Sequence, residues 1–318
     1  MEHTNHTKVA YFILKGLSDD PKLQVPIFLL VLLLYLITLG GNMTVFLLIC
    51  LDHHLHTPMY FFLANLSILD ISSTTVVLHN VLIRFVTKNR TIPYVTCLTQ
   101  MCFFGTFVNA GLLILTAMSF DRYVAICNPL RYVIIMNHKI CILLVIVCLA
   151  VSMLEVLPHV FLLAEFTCYR RNIINHFFCD IMLVMELSCS DTSVLKTLFF
   201  IEGVFLLGLT PFLLTFISYV FIIATILKIR SSTGRRKAFY TCSSHLTVVI
   251  LLYTTFVLQY LRPISEDSLD YNKFFSLFNT AAVPILNPLI YSLKNREVMS
   301  ALQRRLVKKL SYSRDIQG

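Results

Sequence analysis

The sequence has no tryptophan and few charged residues. Asp, Glu, Lys and Arg make up 14% of its 318 residues, whereas hydrophobic residues make up 57%. Because ordinary soluble domains contain about a quarter charged residues, this scarcity of charge excludes a soluble globular protein. It also makes each charged residue within an apolar stretch a candidate functional residue, since a charge in lipid is costly.

Catalytic and metal-binding motifs are missing as well. The chain has no Gly-rich phosphate loop, no serine nucleophile elbow and no paired metal-ligand motif. His176 and Cys179 have the spacing of half a metal site, but a structural zinc site needs three or four ligands. We therefore expect neither an enzyme nor a cofactor or bound metal. The net charge of +9 is expected to reflect membrane topology and attraction to an anionic leaflet, not nucleic-acid binding.

Long apolar runs are what the sequence has instead. Several are near or above the roughly 18 residues that cross the hydrocarbon core as a helix. The seven runs cover residues 26–50, 58–80, 98–120, 140–162, 196–227, 238–261 and 272–293. Because lipid satisfies no backbone hydrogen bond, runs of this length predict helices and not barrel strands. The predicted fold is an all-α membrane protein, a seven-transmembrane helix bundle in the lipid bilayer.

The distribution of Lys and Arg predicts how the bundle is oriented. One side of the seven spans collects 15 of the 26 Lys and Arg residues. Since cytoplasmic loops carry the excess of these residues, we expect residues 1–25 outside the cell, a membrane domain over 26–293 and a cytoplasmic tail over 294–318. The sequon at Asn5 lies on the predicted outer side and is the expected glycosylation site. The sequon at Asn89, close to a membrane end, is a second candidate.

A short amphipathic helix is predicted within the cytoplasmic tail, over residues 295–310. Its apolar residues recur at helical spacing and include Val298 and Ala301. Arg304 and Arg305 are suited to a surface that faces anionic lipid.

Polar residues within the spans follow a characteristic order. The four motifs are Gly41-Asn42, Leu66-Ser67-x-x-Asp70, Asp121-Arg122-Tyr123 and Asn287-Pro288-x-x-Tyr291, in the first, second, third and seventh spans. Pro288 removes a backbone hydrogen bond and permits a kink. Arg122 can form an ion pair with Asp121 and release it, exposing a permanent charge to a partner. Four such motifs in this order resemble a class A G-protein-coupled receptor.

Longer segments resemble the vertebrate olfactory receptors. They cover residues 58–63, 118–127, 218–219, 237–246 and 284–293. The resemblance implies a plasma-membrane odorant receptor that binds small, mostly apolar volatile molecules in an outer cavity. It also implies that the receptor activates a heterotrimeric G protein of the stimulatory, olfactory type and raises cyclic AMP. The alternatives are a receptor of the same fold for a non-odorant metabolite and, from another class, a membrane transporter or channel.

The resemblance implies roles for the motif residues and for four cysteines. The switch residues would be Asp121, Arg122, Tyr123, Asn287, Pro288, Tyr291, Asp70 and Asn42. The residues alone allow three pairings of the outer-loop cysteines, whereas the family implies Cys97 with Cys179 and Cys168 with Cys189. Relatives hold sodium or water near Asp70, but Gly111 stands where many of them carry a carboxylate, which argues against sodium. The chain also departs from the family at Tyr240, at Thr254 and in lacking the fourth-helix tryptophan.

Candidate ligand residues lie on one face of the third span and on the helices opposite it. They are Phe104, Gly105, Val108, Asn109, His159, Glu202, Phe205, Tyr253, Phe256, Val257, Tyr260 and Thr280. This predicted pocket is apolar with few polar groups, as is usual for small ligands. Phe103 and Phe104 occupy positions where amine receptors carry an acid, so no amine is expected on a third-helix carboxylate. Glu202 and His159 would orient a polar ligand group if they face the cavity, and would lie at the interface if they tilt outward.

Overall fold

Seven long helices make up most of the chain in this computed structural model. It describes residues 9–260, 269–293 and 298–305, apart from the side chains at 237, 241, 256–260, 269–271 and 291–293. The helices are α1 Pro21–Leu51, α2 Pro58–Thr87, α3 Tyr94–Cys127, α4 His138–Ala164, α5 Ser193–Leu227, α6 Ser232–Tyr260 and α7, residues 269–293. Each corresponds to one predicted span, and α1 to α5 are long and apolar enough to cross a membrane. The predicted all-α, seven-helix fold is confirmed.

Polar capping residues place the helix ends outside the apolar runs. Asp20 accepts a hydrogen bond from the backbone N–H of Lys22 at 2.9 Å, and Pro21 opens α1. Asn137 accepts a hydrogen bond from the N–H of Ile140 at 3.0 Å where α4 begins. These two helices therefore begin before the apolar runs that predicted them, because their first turns contain polar residues.

Three helices contain a π-helical turn. These turns are Thr75–His79 in α2, Glu202–Leu209 in α5 and Phe278–Ala282 in α7. A π turn changes the direction of the side chains that follow it and is frequent at functional sites. The side chain of Gln100 donates to the carbonyl oxygen of Val76 at 2.9 Å, so the turn in α2 is tied to α3.

A small sheet, absent from the predicted fold, covers one end of the bundle. Strands β1 Tyr11–Leu14, β2 Thr91–Pro93 and β3 Ile173–Ile174 pair in the order β2-β1-β3, with β1 antiparallel to β2 and parallel to β3. Phe12 and Leu14 are buried beneath it. Their alternation with exposed or half-buried neighbours is the period of a strand. It lies within the segment 1–25, for which only a position outside the cell was predicted.

Two disulfides lie at the same end, which is called the disulfide end below. Cys97 at the start of α3 is bonded to Cys179, with Cα atoms 5.6 Å apart. Cys168 is bonded to Cys189, with Cα atoms 5.4 Å apart. The structure thus contains both pairings that the resemblance implied, and the loop between α4 and α5 is held against the bundle.

At the opposite end, the Asp121 end, residues 298–305 form a further helix, α8. Val298 and Ala301 are buried against the core. Arg304 binds the Asp52 carboxylate at 2.7 Å, and Arg305 donates to the carbonyl oxygen of Leu51. Both arginines, which were predicted to suit a lipid-facing surface, thus also bind the end of α1, which offers them a carboxylate and a free carbonyl.

Candidate functional site

A cavity lies among α2, α3, α6 and α7 and reaches from the disulfide end toward the middle of the bundle. The cavity has a volume of about 50 Å³ between its lining residues. They are Leu66, Asp70, Ser73, Phe104, Phe107, Val108, Gly111, Leu115, Phe178, Leu252, Ser276, Asn279, Thr280, Val283, Pro284 and Asn287. Apolar walls with a few polar groups are typical of small-molecule sites.

The side of the cavity nearest the disulfide end is formed by Phe178 of the α4–α5 loop. Its ring meets that of Phe104 edge-on, with centroids 5.2 Å apart. The next residue, Cys179, is bonded to Cys97, and its backbone N–H donates to Gln100 at 3.1 Å. Sequence reasoning missed Phe178. Its position beside a bonded cysteine was the available signal.

The candidates on α3 divide according to helical geometry. Phe104 and Val108 line the cavity together with Gly111 and Leu115, and this spacing of four, three and four residues forms one stripe of a helix. Gly105 faces α4 instead, since a Cβ atom there would lie 3.1 Å from Val156. Asn109 is likewise beside the stripe and does not line the cavity.

The candidates on the later helices are placed as follows. Thr280 lines the cavity from α7. Tyr253 packs edge-on against Phe212 of α5, with ring centroids 5.4 Å apart. Phe205 does not face the cavity, because 51% of its surface is exposed on the outside of α5. Phe205 lies within the π turn of α5, where side chains do not follow regular α-helical spacing.

Some candidates lie outside the described part of the chain. These are Asn5 and the side chains of Phe256, Val257, Tyr260 and Tyr291.

His159 and Glu202 meet between α4 and α5, away from the cavity. The distance from His159 Nε2 to Glu202 Oε2 is 3.4 Å, and neither residue lines the cavity. The structure shows neither of the two placements considered for this pair, because the two side chains face each other between α4 and α5. The prediction that they belong to the apolar pocket is therefore corrected.

A buried polar network forms the floor of the cavity. The side-chain amide of Asn287 donates to Asp70 at 2.8 Å, and that of Asn42 donates to the carbonyl oxygen of Pro284 at 2.9 Å. Gly41 lets α1 approach α7, because a Cβ atom there would lie 3.2 Å from the ring of Pro288. The motifs of the first, second and seventh spans thus converge on one region.

The Asp121 end contains a complete ion-pair cluster. Arg122 donates to one oxygen of the Asp121 carboxylate through Nη2 at 2.6 Å and through Nε at 3.0 Å. The Tyr132 hydroxyl donates to the other oxygen at 2.8 Å. Asp121 is fully buried, so these charge-assisted bonds replace its hydration. Tyr123 packs its ring against Phe221 of α5 at 5.9 Å. Sequence reasoning missed Tyr132, which lies in the loop after α3.

A hydrogen-bond chain joins α3, α5 and α6 between these regions. His245 Nε2 lies 3.0 Å from the carbonyl oxygen of Leu115, and its Nδ1 lies 2.7 Å from the Tyr219 hydroxyl. Because a carbonyl only accepts, Nε2 carries the hydrogen and Nδ1 accepts from Tyr219. Leu115 also lines the cavity, so the chain connects the cavity wall to the two helices that end beside Arg122.

Comparison with known proteins agrees with this geometry. The family model described as olfactory receptor matches residues 31–309. Mouse olfactory receptor 5AR1 is 43% identical over 309 residues, covering 97% of this chain and 99% of its own. Human olfactory receptor 5G3 is 44% identical over 310 residues, covering 97% and 98%.

A solved structure shows the same fold. The crystal structure of squid rhodopsin superposes with a TM-score of 0.67 at 20% identity, covering 92% of this chain and 88% of that one. The chain therefore belongs to the olfactory receptor family of multi-pass plasma-membrane G-protein-coupled receptors, and it is not an enzyme.

Proposed function

We propose that this chain is an odorant receptor that binds small, mostly apolar volatile molecules in the cavity and activates a stimulatory, olfactory-type G protein to raise cyclic AMP. The observation that carries the proposal is the position of Asp70, Asn287 and Leu115. All three line the cavity, and each also belongs to a polar network between helices. A ligand in the cavity would contact the residues that set how the helices pack.

The proposed switch is the Asp121 cluster. In the conformation described, Arg122 is 14% exposed and its guanidinium is bound to Asp121. Separation of the helices at this end would free a permanently charged group that can bind a G protein. A ligand can drive that change only by its difference in affinity between the two states.

The proposed orientation places the disulfide end outside the cell and the Asp121 end in the cytoplasm. The excess of Lys and Arg on the Asp121 side supports it, since cytoplasmic loops are rich in these residues. The disulfides support it as well, because they persist in oxidising compartments.

A cyclic AMP assay with a panel of volatile ligands tests the site. Cells that express the receptor and its trafficking helpers should respond, and Phe104→Ala should raise the half-maximal concentration of an agonist by about tenfold, because the ring buries apolar ligand surface. The matched control is Phe205→Ala, since Phe205 lies on the outer surface of α5. Equal effects of the two variants at equal surface expression would refute the proposed placement.

A further inference from the structure

A second cluster of ionisable residues lies between α4 and α5. Glu155 and His159 are 8% and 6% exposed, and Glu202 faces them from α5. Glu155 lies nine residues before the end of α4 and Glu202 nine residues after the start of α5. At 1.5 Å per residue, both carboxylates are about 13 Å below the disulfide end. The cluster is therefore at membrane depth, where charge is costly.

The hydrogen bonds within this cluster are incomplete. His159 Nδ1 lies 2.8 Å from the carbonyl oxygen of Glu155, so Nδ1 carries the hydrogen and Nε2 of the neutral ring is an acceptor. Nε2 then faces Glu202 Oε2 at 3.4 Å, acceptor against acceptor. Within the described chain, neither this nitrogen nor the buried Oε2 atoms of Glu155 and Glu202 have a hydrogen-bond partner.

The charges of the cluster are also unbalanced. Among the described residues, the only basic side chain within ion-pair distance of Glu155 or Glu202 is that of His159, and its ring is neutral in the hydrogen-bond pattern above. The cluster therefore contains two carboxyl groups and no cation. Because an unpaired buried charge is strongly unfavourable, one carboxyl must bind a proton, and a bound cation would pair with the other.

We propose that this cluster binds the ammonium group of a small aliphatic primary amine. Such a group carries one positive charge and three N–H donors, which match the three unpartnered acceptors on Glu155, His159 and Glu202. The inference rests on the proposed function, since the amine would be a ligand of the same receptor at a site separate from the apolar cavity. A metal ion is disfavoured, because no group of three metal ligands is present in the described ranges.

The surroundings allow a small molecule to reach the cluster. Glu202 is 16% exposed, and it begins the π turn of α5. The next residue is Gly203, where a Cβ atom would meet nothing within 4 Å. The ring of Phe199, one turn earlier, stands edge-on to His159 with centroids 5.7 Å apart. Gly203 is exposed, so this open space lies on the outer surface of α5, and a short alkyl chain would reach the cluster from there beside the Phe199 ring.

Ligand binding to the full-length receptor in lipid nanodiscs tests this site. Saturation-transfer NMR would compare n-butylamine with n-butanol, which lacks the charge, and with butyltrimethylammonium, which lacks the N–H donors. The amine should bind at least about tenfold more tightly than either, because hydrogen bonds between charged groups are the strong ones. Equal affinity of the wild-type receptor for all three compounds would by itself overturn the proposal.

Substitutions then locate the binding. Glu155→Gln and Glu202→Gln should each weaken the binding of n-butylamine by about tenfold or more. Glu165→Gln, an exposed carboxylate at the end of α4, should leave its affinity unchanged. Wild-type affinity in both cluster variants, or loss of binding only in Asp70→Asn, would overturn the site and place the amine elsewhere.

The two proposals fail separately, because this measurement involves no G protein. Cluster-dependent amine binding by a receptor that never raises cyclic AMP would refute the proposed signalling and leave the amine site standing. The amine site alone would be refuted if cells give a normal odorant response and the affinity for the amine is unchanged by substitution of Glu155 and Glu202.

Discussion

The two clusters of buried charge differ in whether their polar atoms are paired. Both oxygens of Asp121 accept hydrogen bonds, from Arg122 and from Tyr132. Between α4 and α5, in contrast, Glu155, His159 and Glu202 each have a buried atom without a hydrogen-bond partner in the described chain. A complete cluster stabilises one arrangement of the helices, whereas an incomplete one is suited to an added group. This difference fits a bundle that is held at one end and receives ligands toward the other.

The largest expected effect follows from removing the guanidinium of the complete cluster. Arg122→Ala should abolish ligand-dependent cyclic AMP, because the charge that is proposed to bind the G protein is lost. Surface expression, measured by antibody staining of intact cells, should remain. An undiminished cyclic AMP response would show that the Asp121 cluster is not the switch.

Isosteric amides sharpen the comparison, because they should change stability in opposite directions. Asp121→Asn should lower the melting temperature of the unliganded receptor, since it breaks a paired charge and leaves Arg122 without a partner. Glu155→Gln should raise the melting temperature, since it removes an unpaired buried charge. The expected gain in the free energy of unfolding is on the order of 1 kcal/mol. Melting curves of both variants in nanodiscs check these two predictions. Changes in melting temperature of the same sign would contradict the distinction between the clusters.

The smallest expected effect concerns the ion pair between α8 and the end of α1. The Arg304 guanidinium, with a further hydrogen bond from His54, holds the pKa of the Asp52 carboxyl well below its ordinary value. A lowered pKa stabilises the fold above the ordinary carboxyl value of about 3.9 and loses this contribution only as the pH falls toward the lowered value.

The contribution of Asp52 to the attachment of α8 should therefore be the same at pH 5 and at pH 8. Arg304→Gln should lower the melting temperature by about 1–2 °C, because Arg304 is 44% exposed and exposed ion pairs contribute little. Arg235→Gln, on the exposed start of α6, is the control. A fall of the wild-type melting temperature between pH 8 and pH 5 that disappears in Arg304→Gln would contradict this account of Asp52.

The sequence was sufficient to predict the seven helices, because each apolar run exceeds what a soluble helix needs. It also identified Asn42, Asp70, Asn287 and Pro288 as candidate switch residues, and the structure brings them together, since buried polar residues in lipid require partners. The Asp121–Arg122 pair was predicted as well, because the two residues are adjacent at a helix end.

The remaining features depend on tertiary structure that no local pattern encodes. Phe178 is positioned by a disulfide to another helix, and Tyr132 by the path of the loop after α3. Phe205 was misplaced because a π turn changes the helical phase, and His159 and Glu202 were placed in the cavity because their depth was read correctly but their direction was not. The position of Glu155 near Glu202 was not predicted, since it depends on the contact between α4 and α5.

The distance between the ends of α3 and α6 tests the central claim most directly. Spin labels would be placed at Leu130, which is 97% exposed after α3, and at Tyr240, which is 50% exposed on α6. Electron–electron double resonance in nanodiscs would compare the free receptor with the receptor saturated by an agonist from the cyclic AMP panel. The account predicts that the distance lengthens when the agonist binds and the Asp121 cluster opens. An unchanged distance with the cavity demonstrably occupied would contradict it.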